Sequence, residues 1–344
     1  MKPTSIIRCW IVRLAKLAGL MALCFVATAD EVKPAAGYQH YLIGNPADVV
    51  RPTSGLWVLQ GGGDDVDENY VRMGAHGGGG DFVVLRASQA GEYNDYIFGL
   101  CHCDSVETIV FDDRVAASDP YVIQTIRNAE ALFIAGGDQD RYVRFWKGTP
   151  VQDAINFVAA KPAPIGGTSA GMAILGEFVY SAMYESLTSA VALADPYAHD
   201  ITLEKDFLAL PRLGGILTDQ HLQERDRIGR TVTMLARLMQ DGWSSRPLAI
   251  AADRETALHV DPVEGTAEVF ATARHATPYV YFLRPTQPPK HCEPGQPLTF
   301  QDVEVYRIGP GGRFDLTAWQ GTGGISYRLS AEAGVLSSSR DATY

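Results

Sequence analysis

The sequence predicts an α/β fold, a doubly wound and mostly parallel sheet with flanking helices, carrying a smaller β-rich part at its C-terminal end. Three observations predict it. Apolar runs at Leu56 to Gln60, Asp81 to Leu85, Val106 to Phe111 and Ala131 to Ile134 alternate with helix-compatible segments such as 120–129, the pattern of strands buried on both faces of a parallel sheet. Several runs lead into glycines, at Gly61-Gly62-Gly63, Gly136-Gly137 and Gly166-Gly167, and in such sheets ligands gather beyond the carboxyl ends of the strands. After His259 the pattern changes to short β-type runs at 267–272, 279–283 and 303–308.

From the N-terminus, Lys2, Arg8, Arg13 and Lys16 accompany an apolar stretch from Leu17 to Val26, followed by the small-x-small triplet Ala27-Thr28-Ala29. That run is too short to span a bilayer, so residues 1–29 are expected to be a secretory signal peptide. The chain is then exported, to the periplasm or the outside. Its removal leaves 344 − 29 = 315 residues and, with four cations gone, takes the formal net charge from −11 to about −15. That length suits one large or two modest domains. The acidity argues against a nucleic-acid partner, and no second stretch is apolar and long enough to expect a membrane partner after cleavage. Residues 30–54 are polar and contain prolines, and are expected to be a mobile leader. A catalytic α/β domain over 55–260 follows, with a β-rich extension over 261–344 packed on it and a peripheral end from about Gly321.

Cys101, Cys103 and Cys292 remain in the mature chain. In an oxidising compartment this allows one disulfide and a free thiol, and a bridge from Cys292 to Cys101 or Cys103 would tie a late loop to the body. Cys101-His102-Cys103 lacks the second ligand pair of a zinc site, so no metal is expected.

The chemistry gathers at four places. Pro164-Ile165-Gly166-Gly167-Thr168-Ser169-Ala170-Gly171-Met172-Ala173 is a short apolar approach, a G-x-S-x-G turn and a helix-compatible stretch, the pattern of a nucleophile elbow that lifts Ser169 above a sheet edge. There the free N–H groups of the helix N-terminus are placed to bind an oxyanion, a role the resemblance given below assigns to the N–H of Ala170. One unit earlier, Phe133-Ile134-Ala135-Gly136-Gly137-Asp138-Gln139 repeats the strand-to-glycine logic; Gly137 offers a second N–H, and Gln139 a side chain that both donates and accepts. Ile216-Leu217-Thr218-Asp219-Gln220-His221 is a strand ending in a histidine placed to act as general base. A helix carrying Arg225, Arg227 and Arg230 is expected to begin after it. Leu248 to Leu258 is an apolar run broken by Asp253-Arg254-Glu255, and one acid there is expected to orient His221. The intervening stretch from Tyr180 to Leu210 is expected to be a helical cap or lid.

These four motifs, in this order, resemble the cyanophycinase family of serine peptidases (family S51), relatives of the aspartyl dipeptidases with a fold like that of class I glutamine amidotransferases. The resemblance covers most of the chain from Gly55 to at least Leu258. It implies Ser169 as nucleophile, His221 as base, and Gln139, Asp219, Gln220, Arg225, Arg227 and Arg230 as the lining of the substrate site. The implied reaction releases β-aspartyl-arginine dipeptides from cyanophycin, or from a similar peptide or polymer, with no cofactor, and a homodimer is compatible with it. The family's last motif usually reads Asp-Glu-x-Thr, and here Arg254 stands where that glutamate would be. Glu255 is the expected third member of the triad, with Asp253 as the other candidate. Two further readings are an aspartyl or β-aspartyl peptidase with another substrate and a non-catalytic binding protein that kept the fold.

Overall fold

The apolar runs form strands, as their composition requires, in a computed structural model that describes residues 37–88, 93–275 and 277–344. The expected signal peptide and the first residues of the expected leader lie outside the described residues. In chain order the first half is β1 (Tyr38–Gly44), β2 (Trp57–Gln60), α1 (Asp67–His76), β3 (Asp81–Arg86), α2 (Tyr93–Cys101), β4 (Ser105–Phe111), α3 (Pro120–Asn128), β5 (Ala131–Ile134), α4 (Gln139–Trp146), α5 (Pro150–Ala160), β6 (Ile165–Thr168) and α6 (Ala170–Ala173). The second half is β7 (Val179–Tyr180), α7 (Ser189–Ala194), β8 (Leu203–Glu204), β9 (Ile216–Gln220), α8 (Ile228–Gln240), β10 (Leu248–Ala252), β11 (Thr256–Val260), β12 (Thr266–Ala271), β13 (Val280–Pro285), β14 (Phe300–Ile308), β15 (Arg313–Asp315), β16 (Gln320–Thr322), β17 (Ile325–Glu332) and β18 (Val335–Ser338).

The larger sheet runs β1-β4-β3-β5-β6-β2-β11-β12-β15-β16. Its middle, from β4 to β2, is parallel. Alternation along those strands explains why their sequences are apolar throughout. In β3, Phe82 and Val84 enter one core with Tyr70 and Met73 of α1 and Ile97 of α2. Val83 and Leu85 enter the opposite core with Val122 and Ile126 of α3 and Ile155 and Val158 of α5. Each such side chain stabilises the fold by roughly 1.5–3 kcal/mol on burial, so a polar residue on either face would be costly.

The second sheet runs β18-β17-β14-β13-β10-β9, with β9 and β10 parallel and the rest antiparallel. Asp253, Arg254 and Glu255 form the turn by which the chain leaves β10 of this sheet and enters β11 of the larger one. That turn is tied to the glycines after β2: the N–H of Gly61 donates to the Thr256 carbonyl at 2.9 Å, and the N–H of Glu255 to the Gly62 carbonyl at 2.5 Å. The carboxyl ends of β2, β6, β9 and β10 thereby come together.

Four expectations change. Within the expected leader, β1 pairs with β4 in antiparallel register from Tyr38↔Phe111 to Gly44↔Ser105; it reads as polar because an edge strand keeps most of its side chains in water. The end of the chain is not peripheral, since Tyr327, Leu329 and Ala331 of β17 are buried in the core of the second sheet. The stretch from Tyr180 to Leu210 contains one short helix, α7, and wedges between the cores, with Leu187, Ala192 and Leu193 in one and Phe207, Leu208 and Leu210 in the other. Cys101 and Cys103 are bonded to each other. Cys292 is a buried free thiol, its pKa pushed up to about 12 by burial, so it bridges to neither.

Candidate active site

Ser169 joins β6 to α6 with φ 51° and ψ −114°, a backbone conformation that costs a non-glycine residue of order 1–3 kcal/mol. Its surroundings hold it there. Its N–H donates to the Gln60 carbonyl at 3.0 Å. A Cβ at Gly167 would come within 2.6 Å of the Gly171 carbonyl carbon, and one at Gly171 within 2.0 Å of the Ile134 carbonyl oxygen. Both glycines are therefore demanded by close backbone approach, and together they force the serine outward.

His221 follows β9 directly, also in the left-handed region (φ 50°), and its N–H donates to the Gly61 carbonyl at 2.9 Å. Its Nε2 lies 3.0 Å from Ser169 Oγ. Gly62 (φ 94°) shelves the ring; a Cβ there would sit 2.1 Å from Nε2. The other ring nitrogen, Nδ1, lies 2.8 Å from Oε2 of Glu224. A carboxylate on Nδ1 fixes the proton there and leaves Nε2 as the acceptor facing the serine hydroxyl.

The electrostatics agree. Burial lowers the His221 pKa, and Arg225 nearby lowers it further, against the raising effect of Glu224. At neutral pH the ring is therefore neutral and able to take a proton. Burial alone would raise Glu224, but its hydrogen bond to His221 and the cations Arg254 and Arg225 outweigh that and hold it below the usual carboxylate range.

The acid on the histidine is thus not the one expected from sequence. Glu255 is buried and turned away: Arg254 donates to its Oε1, and the Thr272 hydroxyl donates to Oε2 at 3.1 Å. Asp253 accepts the N–H of Gln223 at 3.0 Å, the N–H of Tyr279 at 3.3 Å and the Tyr281 hydroxyl at 3.3 Å. Burial pushes its pKa up to about 7. Glu224 was hidden because 222–230 reads as the start of an Arg-bearing helix, whereas α8 begins only at Ile228. The signal that could have found it is a carboxylate three residues after the histidine, within reach once the chain turns.

The remaining expected residues divide. Gly137 (φ 147°) and Gly136 lie beside the nucleophile, since a Cβ at Gly136 would be 3.5 Å from Ser169 Cβ. Among the described residues, the N–H groups of Gly137 and Ala170 have no acceptor, as a pair of oxyanion donors requires. Gln139 opens α4 behind an Asp138 cap, and its Nε2 donates to the Tyr180 carbonyl at 3.5 Å. Arg225 is exposed, with no side-chain hydrogen-bond partner among the described residues.

The other four, Asp219, Gln220, Arg227 and Arg230, serve structure. Arg230 is buried against Asp219, donating Nε–H to Oδ2 at 3.1 Å and Nη2–H to Oδ1. Burial alone would raise Asp219, but Arg230, Arg227 and the Thr231 hydroxyl hold it below its usual range. Arg227 donates to Gln220 Oε1 at 2.6 Å and to the Ser186 hydroxyl at 2.8 Å, and burial lowers its pKa to about 10. Ser186 also accepts from Arg230 at 3.2 Å, so the wedge after β7 holds both guanidinium groups.

The sequence matches no family model. It is 25% identical over 223 residues to the cyanophycinases of Trichormus variabilis and Nostoc sp., covering 64% of this chain and 68% of theirs. A cyanophycinase of Synechococcus elongatus is 23% identical over 236 residues, 66% of this chain and 65% of its own. Over about two thirds of its length the chain is similar to cyanophycinases. The fold of a solved peptidase from an acI-B1 Actinobacterium is similar, with a TM-score of 0.50 at 14% identity over 77% of this chain and 98% of that one. The contact to His221 Nδ1 comes from Glu224 in the turn after β9, rather than from Asp253, Arg254 or Glu255.

Proposed function

We propose that this protein is an exported serine peptidase in which Ser169, His221 and Glu224 form the triad. The observation that carries this reading is the continuous chain of contacts, Ser169 Oγ to His221 Nε2 at 3.0 Å and His221 Nδ1 to Glu224 Oε2 at 2.8 Å. Nucleophile and base within hydrogen-bond reach, with the base oriented by a third group, is the geometry of an activated serine. His221 takes the hydroxyl proton as Ser169 Oγ attacks the scissile carbonyl, and the amides of Gly137 and Ala170 hold the oxyanion. The imidazolium then gives its proton to the leaving amine. Water, deprotonated by the same ring, releases the acyl group and restores the serine.

The names of the relatives support cyanophycin as substrate, with release of β-aspartyl-arginine, and the pattern over residues 1–29 supports export. One observation favours a second reading, a different aspartyl or β-aspartyl peptide. Arg227 and Arg230, which the resemblance implies as substrate contacts, are committed to Gln220, Ser186 and Asp219. The mature chain from Asp30 is incubated with purified cyanophycin, with Ser169→Ala in parallel. Dipeptide release that vanishes in Ser169→Ala supports the peptidase on this polymer. Absence of release, with Ser169 still labelled by a fluorophosphonate, moves the substrate to other aspartyl peptides. Absence of both leaves a binding protein.

A further inference from the structure

We infer that Arg254 is a positioning residue for catalysis, acting through Glu224; this rests on the triad proposed above. Glu224 sits on the irregular turn between β9 and α8 with its side chain 34% exposed, and among the described residues its only hydrogen-bond partner is His221. Confining such a side chain to one rotamer costs conformational entropy. The guanidinium of Arg254 offsets part of that cost: its Nε lies 3.9 Å from the same Oε2 that meets His221, and its Nη2 donates to Glu255.

Glu255 is the fixed end of this clasp. It is 6% exposed. Its backbone is held by its N–H on the Gly62 carbonyl at 2.5 Å and by the Thr272 N–H on its own carbonyl at 3.0 Å. Its carboxylate takes the Thr272 hydroxyl at 3.1 Å. Arg254 in turn leans on Gly63, where an added Cβ would lie 3.2 Å from the arginine Cβ. The order is therefore anchored glutamate, bridging arginine, exposed glutamate, imidazole. Loss of the arginine frees Glu224 to leave Nδ1. Loss of the Glu255 charge frees the arginine, and so reaches the histidine only by that route.

The test is the second-order rate of Ser169 phosphonylation by a fluorophosphonate, which needs no knowledge of the natural substrate, together with the low-field proton resonance of His221 Nδ1–H. Arg254→Ala and Glu255→Gln are each expected to slow labelling by about fivefold, the scale of a partly exposed ion pair, and to broaden the resonance. The double variant is expected to be no slower than the slower single one, because both substitutions act on one chain of contacts. Arg254→Lys, which keeps the charge but loses the guanidinium fork, is expected to recover part of the rate. Wild-type rate and resonance in Arg254→Ala, or rates that multiply in the double variant, overturn the inference. Glu224→Gln separates the two levels. If it labels as fast as wild type, the triad itself falls; if it collapses while Arg254→Ala does not, only the role of Arg254 falls.

Discussion

The sharpest single perturbation is Glu224→Gln, which removes one charge and keeps the shape of the side chain. When His221 becomes an imidazolium, its charge lies about 4 Å from the centre of the Glu224 carboxylate, an attraction of about 4 kcal/mol at the effective dielectric of ~20 found near protein surfaces. Glu224 is 34% exposed, and Arg254 stands 3.9 Å from its Oε2, so water and the neighbouring cation screen this to about 2–3 kcal/mol. At ~1.4 kcal/mol per tenfold, the expected fall in kcat is roughly 30- to 150-fold. A glutamine also turns its amide N–H toward Nδ1 and so favours the tautomer with the proton on Nε2, which cannot accept from Ser169. The assay is kcat for dipeptide release, checked by the fluorophosphonate rate, with Glu255→Gln measured alongside. KM is expected to stay within about twofold, since a group behind the histidine acts on the transition state rather than on ground-state binding. A loss below threefold in Glu224→Gln, beside one above 30-fold in Glu255→Gln, would refute the assignment of the acid.

Three further outcomes follow from the same geometry. The acid limb of kcat/KM should fall below pH 6.5, the ordinary histidine value, because burial lowers the His221 pKa and activity is lost only as Nε2 is protonated; a limb above 6.5 contradicts this. Gly62→Ala puts a methyl group 2.1 Å from His221 Nε2, so labelling should fall at least ~100-fold while Tm drops by only about 2–4 °C, the scale of one left-handed alanine. Asp219→Asn leaves the Arg230 guanidinium buried without its counter-charge. Urea midpoints should report a loss of about 3–5 kcal/mol.

The fold was legible because β3, β5 and their neighbours must be apolar on both faces, and that requirement is written into consecutive residues. The nucleophile and base were legible for a similar reason, since glycines flanking Ser169 and a histidine closing β9 are local constraints. Glu224 was not, because its role depends on how the chain turns between β9 and α8, a matter of φ values at His221 and Asp226 rather than of composition. The arginines misled in the opposite direction. Arg227 and Arg230 have the chemistry of carboxylate ligands, and they are ligands, but for Gln220, Ser186 and Asp219 within the protein. The edge strand β1 escaped because pairing on one side leaves no periodic signature strong enough to distinguish it from a polar tail.

Ser169 rides on the larger sheet and His221 on the second, and near the site the His221 N–H bond to the Gly61 carbonyl crosses the seam between them. The Oγ–Nε2 contact of 3.0 Å is therefore a ruler laid across two sheets that share one core. A slip of about 1 Å carries it past hydrogen-bond range while leaving every strand, helix and aromatic cluster intact. A small shear of one sheet against the other is expected to cost activity before it costs folding. Residues far from the serine that grip one sheet against the other thus govern turnover as firmly as those that touch the scissile bond.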